Sequence, residues 1–384
     1  VLIRYLLGEA VIERTGHQFD TSGDEELTIT PARPDVRVLA WPRWFDNPYL
    51  PSLVDGLNRE GLRSGSAPML LAATMRLREG DWLHVHWPGE THTHAARWRY
   101  ELGAKTVHAQ LRHLKRRGVR IAWTAHNLLP HDDPHPDLGH RARRDLLGLA
   151  DHVFVHFEGA RGELAREFGY TGPSTVVHHP SYVDAYPAPP PRQEAREALG
   201  LPERGFVALA FGRIRPYKGL DTLVAAFRRC AGEDDRLVIA GSPLGPVHPT
   251  VKSAADDPRI ILRARKIPDA QVPTYFAAAD VAAITHRAFF TSGSALLSLS
   301  MGCPIVGPPV NHLADLAGDH RLFPADLSTD GLTAALRRAR EETPSIDRTA
   351  IRGWAREHGT WQTATDTIAA VLCDRGGNEP GSSN

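Results

Sequence analysis

Long apolar runs are missing from this sequence. Nowhere do the roughly 18 consecutive apolar residues occur that a bilayer-spanning helix would need. Cysteine is scarce: Cys230, Cys303 and Cys373 are odd in number and far apart. They offer neither a disulfide framework nor metal-ligand spacing, which suits a reducing cytoplasm. Net charge is absent too, 45 Lys and Arg against 45 Asp and Glu, which argues against a protein that coats nucleic acid. No Gly-x-Gly-x-x-Gly turn follows any first strand, so a dinucleotide oxidoreductase is disfavoured.

What is present is length and rhythm. A chain of 384 residues exceeds one ordinary core, and two domains are the natural expectation. Val1 to Leu7 is apolar, but Gly8, Glu9, Glu13 and Arg14 follow at once, unlike a signal peptide. Residues 1–34 read as an N-terminal extension with the polar composition of a poorly ordered segment. From Val36 onward, short apolar runs alternate with helical patterns. Val36 to Trp41, Trp82 to His86, Arg120 to Thr124, His152 to Phe157 and Ser174 to His178 read as strands. Pro187, Pro189, Pro190 and Pro191 interrupt the alternation, and such a stiff segment suits a domain boundary. The rhythm then restarts with Phe206 to Phe211, Arg236 to Ala240, Ile260 to Leu262, Val281 to Thr285 and Pro304 to Val306.

The fold class expected is therefore α/β, with two doubly wound, Rossmann-like domains facing a cleft. The first spans 35–186, a Pro-rich linker 187–203, the second domain 204–345, a last helical segment 346–373 and a polar tail 374–384.

Gly212-Arg213-Ile214-Arg215-Pro216-Tyr217-Lys218-Gly219 lies directly after one strand and before a helix. Gly212 permits a close backbone turn, Arg213 can hold two phosphate oxygens, and Lys218 adds a mobile point charge. Cations there would stabilise a departing diphosphate; a solvated basic turn is the plainer alternative. Thr291-Ser292-Gly293-Ser294 opens a second helix, which ends at Gly302 and Pro304. Ser292 or Thr291 suits the N-cap, and the amides from Gly293 to Ala295 suit a phosphate.

Phe211 to Phe227, FGRIRPYKGLDTLVAAF, resembles the donor-site signature of family 4 glycosyltransferases, and Gly302-x-Pro304 resembles the end of that family's donor-binding helix. The resemblance implies the GT-B fold, with a C-terminal helix crossing back to the N-terminal domain. It also implies a nucleotide-diphosphate sugar held by Arg213, Lys218, Gly212, Ser292, Gly293 and Ser294; no further cofactor and no metal are expected. The chain departs from the pattern in one respect. Aligned on Gly302 and Pro304, the family's two glutamates fall on Phe289 and Leu297. The Thr-Ser-Gly-Ser form instead resembles bacterial exopolysaccharide sugar transferases, including β-mannosyltransferase-like ones, and GDP-mannose is the donor that this implies.

On the first domain, Trp123 to Asp133 (WTAHNLLPHDD) follows a strand and should emerge at the cleft. His126 has the chemistry to take a proton from an acceptor hydroxyl, and Asp132 to orient it or act as base itself. His126, His131, His135, Asp132 and Asp133 lack an established metal-ligand spacing. His86 with Trp87, and Asn47 with Tyr49, resemble segments of the same transferases and are expected on the acceptor side, where Trp87 can stack on a sugar. Arg112, Lys115, Arg116 and Arg117 form a basic run. A solvated helix face explains it, and so does peripheral contact with an inner membrane face carrying a polyprenyl-linked acceptor. The leading reading is sugar transfer to a glycan, glycolipid or small molecule. A GT-B epimerase and a non-catalytic nucleotide-sugar-binding module stay open.

Overall fold

A computed structural model describes residues 36–43, 48–243, 247, 249–287, 290–318 and 320–374. The proposed N-terminal extension, Asn47, Phe289 and nearly all of the polar tail lie outside the described residues.

The first half runs β1 (Arg37–Trp41), α1 (Tyr49–Arg59), β2 (Arg63–Ser66), α2 (Leu70–Arg76), β3 (Trp82–Val85), α3 (Arg97–Arg116), β4 (Arg120–Thr124), α4 (Pro136–Leu147), β5 (His152–Val155), α5 (Ala160–Phe168) and β6 (Ser174–Val176). All six strands are parallel, in the order β2-β1-β3-β4-β5-β6. Alternation along β1 assigns its two faces. Leu39 and Trp41 pack under α2, α3 and α4, among Leu70, Leu111, Leu114 and Leu146. Val38 and Ala40 face Leu50, Leu53 and Leu57 of α1.

The second half continues α6 (Arg192–Leu199), β7 (Val207–Phe211), α7 (Leu220–Cys230), β8 (Arg236–Ala240), α8 (Pro249–Ser253), β9 (Ile260–Arg263), α9 (Val272–Ala278), β10 (Val281–Ala283), α10 (Gly293–Ser300), β11 (Ile305–Gly307), α11 (His312–Asp315), β12 (Leu322–Pro324) and α12 (Thr329–Glu342). Its sheet is parallel in the order β12-β11-β10-β7-β8-β9. Both sheets reverse direction of growth once, between β1 and β3 and between β7 and β10. Such switch points open a crevice beyond the carboxyl ends of the strands. The turn at Gly212 follows β7, and the Thr291–Ser294 loop follows β10, so this sheet delivers both to one crevice.

Two connections differ from expectation. The segment 187–203 is not linker throughout, because Arg192–Leu199 is a helix that packs on α9. Its Arg196 is buried, donating to Asp280 Oδ2 at 2.8 Å and to the carbonyls of Ala278, Pro202, Glu203 and Gly205. Asp280 also accepts from the Val207 amide at 2.7 Å, which ties α6 to the second sheet. The last segment is likewise two helices, α13 (Arg348–His358) and α14 (Trp361–Cys373). Thr360 caps α14 by accepting from the Thr363 amide at 2.9 Å. Only α14 crosses back. Ala364, Ile368, Ala369 and Leu372 complete the apolar layer over α1. Gly56 of α1 must be small, since a Cβ there would lie 2.3 Å from Thr365 Cγ2.

The chain thus passes between the domains twice, and the two passages touch. The Ser181 amide donates to the Gly359 carbonyl at 2.9 Å, and the rings of His178 and His358 lie 5.1 Å apart.

Candidate active site

The turn from Gly212 to Gly219, expected to hold the donor diphosphate, is built from glycines where side chains would collide. Gly212 has φ +101°, and a Cβ there would sit 3.0 Å from Lys218 Nζ and 3.6 Å from Ser294 Oγ. Gly219 has φ +62°, and a Cβ would meet the Thr285 carbonyl at 2.5 Å. Lys218 is buried, and its ammonium donates to the Phe211 carbonyl at 3.1 Å. Burial first, then the neighbouring Arg215 and Arg213, lower its pKa to about 8. Gly212, Lys218 and Ser294 therefore converge around one point at the end of β7.

Ser292 caps α10, its hydroxyl accepting from the Ala295 amide at 3.2 Å. The amides of Gly293 and Ser294 precede the helix's own hydrogen-bond ladder and carry its positive end. Both residues line the cleft, together with Gly212 and Arg213. Leu297 lines it as well, an apolar residue where the resemblance would place a glutamate.

Across the cleft lies a cluster of aromatic rings. Trp87 stacks on His126, with centroids 4.2 Å apart and planes at 18°. Tyr49 lies beneath, buried, edge-on to His126 at 4.8 Å and to Trp361 of α14 at 5.2 Å. Three histidines form a chain whose direction a carbonyl sets. His156 Nδ1 donates to the Val177 carbonyl at 2.8 Å, because a carbonyl only accepts. In the neutral ring His156 Nε2 must then accept, so His126 Nδ1 donates to it at 3.3 Å. His126 Nε2 in turn accepts from His86 Nδ1 at 3.1 Å. Burial pushes all three pKa values down, His156 to about 3, so the neutral forms are the relevant ones.

His126 thus has both ring nitrogens engaged and, in this arrangement, offers no lone pair to an acceptor. Asp132 has φ +51°, and its carboxylate is held by Arg215 Nε at 3.1 Å. Beside it His131 stacks on Tyr217, with centroids 4.1 Å apart and planes at 4°. His86 is buried behind His126 rather than lining the cleft, as is Tyr49.

His179 has the geometry expected of His126. It is buried at the cleft wall, and its Nδ1 donates to the Pro180 carbonyl at 2.9 Å. That bond fixes the tautomer and leaves the Nε2 lone pair about 4.0 Å from where a Cβ on Gly293 would sit. Tyr182, Tyr186 and His286 share the same walls. The cleft so formed holds about 320 Å³, the scale of a small-ligand site. Among the described residues no group of three or more His, Cys, Asp or Glu is placed to hold a metal ion.

Residues 205–342 match the family model for glycosyl transferases group 1. The chain is 27% identical over 287 residues to a GDP-mannose:glycolipid 4-beta-D-mannosyltransferase of Xanthomonas campestris pv. campestris, covering 73% of this chain and 76% of that one. Sucrose-phosphate synthase from Thermosynechococcus elongatus superposes with a TM-score of 0.70 at 14% identity, over 88% of this chain and 98% of that one. Anabaena HepE in complex with UDP gives 0.67 at 14% identity, over 88% and 99%. The chain is a glycosyltransferase of the GT-B fold.

In this glycosyltransferase the matched family segment covers the donor-side turn, α10 and the strands that aim them. His179 escaped the sequence reading because His178-His179-Pro180 follows a three-residue strand and carries no motif. Its signal was positional, as the first residues beyond β6 at the passage between domains. The ring contacts of Tyr217, stacked on His131 and edge-on to His286, were likewise silent, since they depend on separate loops meeting.

Proposed function

We propose that this glycosyltransferase moves mannose from GDP-mannose to a hydroxyl of a glycolipid acceptor with inversion at the anomeric carbon. The observation that carries the reading is the convergence of Gly212, Lys218 and Ser294 at the positive end of α10, with His179 beside Gly293 and Trp87 on the same cleft. The donor and acceptor classes are supported by the 27% identity to the Xanthomonas mannosyltransferase, which spans both domains.

In this reading the donor diphosphate lies on Lys218, Arg213 and the amides of Gly293 and Ser294. The acceptor hydroxyl attacks the anomeric carbon as the sugar–phosphate bond breaks. The negative charge growing on the diphosphate is met by groups already in position. The hydroxyl proton passes to His179 Nε2, the bare nitrogen at the cleft wall. Trp87, braced by His126, stacks on the acceptor sugar, and His126 is a positioning residue for it. The acceptor is polyprenyl-linked, and the enzyme works in the cytoplasm at the inner membrane face.

The reading is tested by thermal stabilisation with GDP, UDP, ADP and their sugars, for wild type and Lys218→Ala. A ligand at about a hundred times its Kd adds roughly 2.7 kcal/mol. GDP should stabilise wild type and lose most of that effect in the variant. A panel in which no nucleotide stabilises the protein would overturn the reading, and a preference for UDP would overturn the donor.

A further inference from the structure

The helical layer formed by α2 and α3 has two faces. Inward, Leu70, Ala73, Leu111 and Leu114 fill the core. Outward, the layer is apolar where it should be polar. Among the described residues six large hydrophobic side chains are exposed, and five of them lie here: Met69, Leu71 and Met75 around α2, Trp98 and Leu102 on α3, between 53% and 74% exposed. The two helices are joined at their ends, where the Arg117 guanidinium donates to the carbonyls of Thr74 and Leu77.

The charge is equally uneven. The chain is formally neutral, yet residues 97–117 hold seven Lys and Arg against one acid, Glu101. Lys105 pairs with Glu101, Arg97 with Asp137 and Lys115 with Asp151. Arg112 and Arg116 make no ion pair among the described residues. Trp98, Leu102, Lys105, Ala109, Arg112 and Arg116 are all exposed and recur at helical spacing, so they form one stripe about 30 Å long. It runs from apolar at the cleft end of α3 to basic at the far end. Scattered single apolar residues need no explanation, but a cluster edged with cations does.

We infer that the α2–α3 face docks on an anionic lipid surface, with Trp98, Leu102 and the methionines entering the interface and Arg112 and Arg116 meeting lipid phosphates. Apolar side chains flanked by cations match the two layers of such a surface. The N-terminal ends of both helices follow the carboxyl ends of parallel strands, so the apolar end of the α3 stripe is the end nearer the cleft. The inference deepens the membrane-face part of the proposed function by assigning the surface that makes the contact. Because donor and acceptor are absent from its test, its failure is distinguishable from failure of the sugar-transfer reading.

That test is co-sedimentation of the full chain with phosphatidylcholine vesicles, with and without phosphatidylglycerol. Wild type should bind the anionic vesicles at least tenfold more tightly than neutral ones and release in high salt. Arg112→Glu with Arg116→Glu should remove that preference, and Trp98→Ser with Leu102→Ser should weaken binding. Circular dichroism melting should be unchanged in both, as every altered residue is exposed. Equal binding to neutral vesicles, no binding, or variants that bind like wild type would overturn the inference. So would light scattering that shows wild type dimerising through this face while the variants stay monomeric.

Discussion

Asp132 of the first domain holds Arg215 of the second, Oδ2 to Nε at 3.1 Å, at the edge of the cleft between them. The adjacent pair, His131 on Tyr217, lies parallel. Arg215 and Tyr217 both belong to the turn that ends in Lys218, so the loop after β4 and the Gly212–Gly219 turn are joined directly.

The magnitude of an Asp132→Asn effect separates two roles. Asparagine tolerates the positive φ and keeps the shape, but loses the charge. A partly exposed ion pair contributes about 1 kcal/mol or less, so kcat/KM should fall by no more than about tenfold. Loss of a catalytic base costs about 10²–10⁴-fold. Steady-state kinetics on Asp132→Asn and Arg215→Ala should give matching small losses. A hundredfold loss in the first alone would make Asp132 the base.

His179→Ala should show the larger effect, about 10²-fold or more in kcat with nucleotide affinity nearly unchanged. His126→Ala should act differently, raising the acceptor KM as Trp87 loses its support. Equal kcat losses in the two variants would remove the distinction drawn between them.

Donor affinity should weaken as pH rises through about 8. Burial holds the Lys218 pKa near that value, so the ammonium is mostly charged at pH 7 and mostly neutral at pH 9. Titration calorimetry with GDP at pH 7 and pH 9 should show the decline, and Lys218→Met should flatten it. For the unliganded fold the sign is reversed. The unfolded chain binds the extra proton between pH 8 and 10.5, so this group's contribution to stability rises with pH across that window.

The buried histidines predict acid lability. His84 and His156 titrate near 3 and His179 near 4, each through burial first, whereas an unfolded histidine takes up its proton near 6.5. Between about pH 6.5 and 4 the unfolded state therefore binds more protons, and stability falls as pH falls. Each such histidine adds about 1.4 kcal/mol per pH unit to the slope. Thermal unfolding followed from pH 7 to pH 5 should show a steep drop, and a flat profile would contradict the neutral cluster.

Gly219→Ala should cost about 1–2 kcal/mol from its left-handed backbone alone, with a further loss from the contact at the Thr285 carbonyl. Denaturant unfolding checks the stability, and GDP binding should fall in parallel because Lys218 is displaced.

Most strands that the sequence reading found have apolar runs that are largely buried, such as β3, β7 and β8, although β6 and β9 at the sheet edges are only partly buried. It passed over β2, whose residues are Arg63, Ser64, Gly65 and Ser66 at a sheet edge, and β12, three residues ending in a proline. Neither has a pattern of its own, and each is a strand because its neighbour supplies a register. Helix α6 was hidden differently. Pro191 ahead of it and Gly200 with φ +67° behind it are ordinary helix boundaries, but the proline run drew the whole segment into a linker. At the site, the residues on one turn, Gly212 to Gly219, were legible because one element carries them all. The histidine chain joins the segments after β3, β4 and β5, and a carbonyl after β6. No local spacing could announce it.

The paired passages between domains limit how this molecule can move. Two bodies joined by one strand can swing, slide and twist. Joined by two strands that are bonded to each other through Ser181 and Gly359, they keep little beyond rotation about the line where the strands meet. His179 lies beside that contact, its carbonyl 2.8 Å from where a Cβ on Gly359 would sit, and a point near an axis travels least when the bodies turn. Opening the jaws to admit a donor or release a product carries Trp87 and Arg213 apart, yet leaves His179 beside Gly293. On the proposed reading, the proton acceptor His179 and the N-terminal end of α10 stay close as the bodies turn, while partners farther from the contact separate.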